Sequence, residues 1–78
     1  MMNIDIRNAL NALANSTTDD DIDRNTDALA DAIIAHAGTL TAFNCASIMT
    51  RLRTFDPSEA LCAAYIRDTI RDNTDFAP

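Results

Sequence analysis

The amino-acid sequence predicts an all-α protein, a small four-helix bundle with a steep corner between helices 3 and 4. Three observations carry that prediction. Fourteen alanines, one glycine and no valine among 78 residues favour helix over strand. Apolar residues recur at spacings of three and four along most of the chain, the period of a buried helical stripe. Cap residues stand at the breaks between those stripes. The whole of 1–78 reads as one domain. At this size the core is small, burying about 60% of the surface that the unfolded chain exposes.

Met2, Ile6, Leu10 and Leu13, with Ala9 beside them, form the first stripe. Asn3 suits the N-cap and Asp5 the positively polarised first turn, so a helix is expected near 4–14. Asn15-Ser16-Thr17 is a short break of turn-forming residues, which makes helices 1 and 2 antiparallel neighbours.

The second helix, expected near 18–37, dominates the chain. Ile22, Thr26, Leu29, Ile33 and Ala37 make its buried stripe, while Asp20, Asp23, Asp27 and Asp31 make a carboxylate row on the opposite side. Thr17 or Thr18 can cap it, aspartates fill its first turn, and Gly38 suits a left-handed position just past its end. Ile34 falls on the acidic side, where an apolar residue is either covered by a neighbouring segment or serves as an anchor in a binding surface. His36, in the last turn, is expected to interact with the C-terminal end of its own helix.

A third helix near 41–55 follows from Thr39 or Thr41 as cap and from Ala42, Cys45, Ile48, Met49, Leu52 and Phe55 on one face. Phe43 points off that face and is expected to pack on the loop or the end of helix 2. Phe55-Asp56-Pro57-Ser58-Glu59 is a capping box with proline at the first helical position, which starts a fourth helix over 57–72. A joint this short cannot turn a smooth hairpin, hence the steep corner. Helix 4 is expected to bury Cys62, Ile66, Thr69 and Ile70. Leu61 and Tyr65, beside Asp68 and Asp72, widen its apolar side into a surface for helix 1, a second copy or a partner. The tail 73–78 lacks periodicity and reads as loose unless Phe76 folds back onto the core.

Charge narrows the function. Eleven of the twelve acids are aspartate, all six bases are arginine, and the net charge is −6. Direct nucleic-acid binding needs a basic surface, so none is expected. Residues 1–40 hold seven acids and two arginines (−5) and residues 41–78 hold five and four (−1), so the acidity is concentrated on the N-terminal half. No hydrophobic signal region or membrane-length apolar run is present, and a cytoplasmic protein is expected, in the host cytoplasm if phage-encoded. In a reducing compartment Cys45 and Cys62 read as two buried thiols. Their spacing with His36 matches no zinc pattern, so no metal or other cofactor is expected.

No glycine-rich loop and no nucleophile–base pair stands in the chain, and no enzyme activity is expected. The reading that follows is a protein that binds, and inhibits or modulates, a protein partner through Asp20, Asp23, Asp27, Asp31 and Ile34. Carboxylates four apart on a helix are separated by about 6 Å along its axis, which approximates consecutive phosphates facing a basic nucleic-acid-binding groove. In size, charge and fold class the chain is similar to small phage inhibitors of host defence (anti-CRISPR or anti-restriction proteins), antitoxins and immunity proteins. No motif ties it to one family. The alternative is a structural or accessory subunit that homo-oligomerises, for example as a dimer, through Leu61, Tyr65, Asp68 and Asp72 on helix 4. A third possibility, that the aspartates merely keep the surface solvated, accounts for the same row.

Overall fold

The structure is a computed structural model that describes residues 2–54 and 60–76, the side chains of Ala60 and Leu61 excepted. Among the described residues it holds four α-helices, α1 (Ile4–Ala14), α2 (Asp19–Ala35), α3 (Ala42–Arg53) and α4 (Ala60–Asn73), a 3-10 turn over Ala37–Thr39, and no strand. No described helix is long and apolar enough to cross a membrane.

Three of the helix starts are closed by side chains. The Asn3 carboxamide oxygen accepts the Asp5 amide at 2.8 Å, Thr18 Oγ1 accepts Asp21 N–H at 3.1 Å, and Thr41 Oγ1 accepts Asn44 N–H at 3.1 Å. Each satisfies one of the donors that a helix N-terminus leaves without a partner. Of the alternatives Thr17 or Thr18, and Thr39 or Thr41, the second is used in both cases. The capping box at Phe55–Glu59, with the corner it would build, lies outside the described residues.

α2 is the centre of the assembly, packing on α1 and on α4, while α3 packs on α4. Polar contacts give the directions. Asn25 Nδ2, early in α2, donates to Ser16 Oγ at 2.7 Å and to the Ala12 carbonyl at 3.3 Å. His36 Nε2, at the far end of α2, lies 2.9 Å from Asp5 Oδ2 at the start of α1. The two helices are therefore antiparallel, as the short break between them requires. Arg51 Nη2 donates to Asn11 Oδ1 at 2.8 Å, which brings the C-terminal end of α3 back to α1. Ile6, Leu10, Leu29, Ile33, Ile48, Ile66 and Ile70 are completely enclosed, with Leu13, Ala30, Leu40, Cys45, Met49 and Leu52 around them.

Several expectations are corrected. α2 ends at Ala35, and Gly38 does not adopt the left-handed conformation. The chain instead tightens into the 3-10 turn, where Thr39 N–H and Thr39 Oγ1 both donate to the His36 carbonyl at 3.0 and 2.9 Å. With that carbonyl satisfied, no positive-φ residue is needed to end the helix. A Cβ built on Gly38 meets nothing within 4 Å. Gly38→Ala is therefore expected to stabilise the fold by about 0.4–1 kcal/mol, through loss of unfolded-state freedom. Urea denaturation checks this, and a destabilised variant would mean that the glycine's backbone freedom is needed after all.

His36 bonds across to α1 rather than to its own helix end, because it sits on the flank of α2 that faces α1. Phe43 covers neither the loop nor the end of α2 and is 78% exposed, since it lies on the side of α3 away from the other described helices. The tail is not loose through Phe76. Thr74 Oγ1 donates to the Ile70 carbonyl at 2.8 Å, Phe76 N–H donates to Thr74 Oγ1 at 3.2 Å, and the Phe76 side chain packs half-buried on the core.

Candidate functional site

Asp20, Asp23, Asp27 and Asp31 are all exposed on α2, and none of them forms an ion pair within the described residues. A helix advances about 100° per residue, which places the four within about 80° of one another. Ile34 continues the row and is 52% exposed, so no neighbouring segment among the described residues covers it. Arg24 lies just off the flank of the row, but its guanidinium is bonded to Asp21. The face thus presents a line of carboxylates that ends in an apolar side chain.

Helix 4 departs from expectation at Cys62. Ile66, Thr69 and Ile70 are buried, whereas Cys62 is only half-buried and Tyr65 is 49% exposed. Asp68 and Asp72 both lie beside Arg71, at 2.9 and 3.8 Å, so their charge is partly answered within the helix. The Leu61 side chain lies outside the described residues.

The two surfaces read separately in the sequence meet in space. Asp23 and Asp27 from α2 and Tyr65 from α4, together with Thr26 and Cys62, line one cleft of about 340 Å³. Thr26 stands about 60° round α2 from Asp23, at the seam between the buried stripe and the acidic row. It is 5% exposed, and its Oγ1 has no hydrogen-bond partner among the described residues. Asp20, Asp31, Ile34, Asp68 and Asp72 are not among the lining residues. Periodicity alone assigns Thr26 and Cys62 to the core. The one signal that could have singled out Thr26 is a hydroxyl on a stripe otherwise made of Ile, Leu and Ala.

The cysteines differ in setting. Cys45 is 1% exposed, and burial pushes its thiol above the ordinary value, whereas half-buried Cys62 opens onto the cleft. Of the two thiols expected to be buried, Cys45 is and Cys62 is only partly so. The two are not bonded to each other. Thiol labelling of the native protein should show one fast and one slow group, the slow one becoming fast on denaturation. Cys62→Ser should remove the fast phase. Two slow phases would place Cys62 in the core.

Among the described residues no three His, Cys, Asp or Glu side chains converge as a metal-binding set would. No family model matches the chain, and no curated protein or solved structure matches it at a significant level.

Proposed function

We propose that this protein binds a basic surface on a protein partner through the acidic face of α2, and that by occupying a groove shaped for nucleic acid it inhibits or modulates that partner. The observation that carries this reading is the row Asp20, Asp23, Asp27 and Asp31, exposed and forming no ion pair within the described residues, with the neighbouring Arg24 engaged by Asp21 and Ile34 exposed at the row's end. Like charges at i, i+4 disfavour their own helix by a few tenths of a kcal/mol each, so the row does not serve folding. Carboxylates about 6 Å apart along the axis can meet arginines and lysines that otherwise hold successive phosphates. Ile34 supplies an apolar contact in a surface whose remainder is charged. No catalytic step is assigned to the chain.

The test is capture from the native host at low salt, followed by elution with double-stranded DNA. A nucleic-acid-binding protein that DNA displaces, and whose activity falls when this protein is added, is the expected result. A captured partner indifferent to DNA and to salt would remove the reading. Tyr65, half-exposed on α4, favours a second one, self-association through that helix. Sedimentation over a concentration range decides it, since a dimer interface there should be lost in Tyr65→Asp.

A further inference from the structure

We infer that the cleft between α2 and α4 receives the guanidinium of an arginine side chain from the partner. The inference rests on the acidic-face reading and names what that face grips. Asp23 and Asp27 stand on successive turns of α2 at the mouth of the cleft, both exposed. They offer two carboxylates about 6 Å apart along the helix axis, acceptors suited to a planar cation with donors on several edges. Beside them, on the side toward the buried stripe, Thr26 lines the cleft with a hydroxyl that is enclosed and has no partner among the described residues. A buried polar atom left unsatisfied is an exception in folded proteins, and here the missing partner would be a donor arriving through the cleft. The opposite wall is Tyr65, whose half-exposed ring can lie against the face of a guanidinium.

Other occupants fit less well. An anion would face two carboxylates. A metal ion would lack a third ligand among the described residues. At about 340 Å³ the cleft has room for a side-chain head group, and its two carboxylates select a cation. Lysine could answer the carboxylates, but its compact ammonium neither forks between two acceptors nor stacks on an aromatic ring as arginine does.

The experiment is an amide-resolved NMR titration of the full chain with a blocked Gly-Arg-Gly peptide, matched against Gly-Lys-Gly. The arginine peptide should bind with a dissociation constant on the order of millimolar, shifting resonances of Thr26, Cys62 and Tyr65, and several-fold more tightly than the lysine peptide. Thr26→Val keeps the side chain's shape without the hydroxyl. It should weaken arginine binding several-fold while melting no lower than the wild type. Tyr65→Leu, at a half-exposed position, should do the same and serves if the first variant misfolds. No shifts at Thr26 and Tyr65, or equal binding of both peptides, would overturn the inference. Shifts that spread along Asp20 to Asp31 without those two residues would overturn it while leaving the acidic face standing. Arginine binding in the cleft, with a partner indifferent to loss of the aspartates, would instead overturn the acidic-face reading and with it the assignment of the arginine to that partner.

Discussion

Leu29→Ala is expected to remove a large fraction of the stability of this protein. Leu29 is wholly enclosed on the buried stripe of α2, the helix that packs on both α1 and α4. Truncating an enclosed leucine costs about 2–5 kcal/mol, because transfer free energy is lost and the cavity left behind closes only in part. A 78-residue domain has in total about 4–12 kcal/mol to lose. The variant should therefore unfold at a much lower urea midpoint, with the slope of its transition unchanged. Ile34→Ala, on the same helix but 52% exposed, is the control and should stay within about 0.5 kcal/mol of the wild type. Equal losses in the two variants would mean that α2 is turned differently on its axis.

The fold was legible because local rules and burial agree along most of the chain. The stripe Ile6, Leu10, Leu13 with its Asn3 cap defines α1 at both ends, and the buried residues of α3 and α4 fall largely on the faces that periodicity picks out. The misses share a physical cause. A stripe on one helix says which side is inside, but nothing about where its edge meets the next helix. Cys62 and Tyr65 lie at such an edge, and so does Thr26, so their meeting with Asp23 and Asp27 could not be read from any one segment. Gly38 shows the same limit at a helix end. Its residue type permits a left-handed cap, but the Thr39 hydroxyl and amide satisfy the His36 carbonyl first. Helical spacing turns Phe43 and Ile34 off the core face but does not say whether a neighbour covers them, and none of the described segments does.

The acidic row itself, legible from spacing alone, carries the second large effect. Changing Asp23, Asp27 and Asp31 together to asparagine is expected to leave the helical spectrum intact and the stability equal or slightly higher. The three are exposed and make no ion pairs within the described residues, so the substitutions remove repulsion and little else from the fold. Affinity for a basic partner should respond in the opposite direction. Exposed ion pairs contribute about 0.2–1 kcal/mol each, and more where binding excludes water. Loss of three should weaken binding by about one to two orders of magnitude, with most of the remaining affinity insensitive to salt. Wild-type affinity should itself fall as ionic strength rises, because charges at a solvated interface are screened beyond about 8 Å in physiological buffer. Ile34→Asp should weaken binding further although it adds a negative charge, since it replaces an apolar anchor by a group that must stay hydrated. That sign separates an anchored interface from one held by charge alone. Titration calorimetry of the wild type and both variants at two salt concentrations gives all three comparisons. If the triple variant binds as tightly as the wild type at either salt, the row only solvates the helix, and the search for an interface moves to Tyr65 and α4.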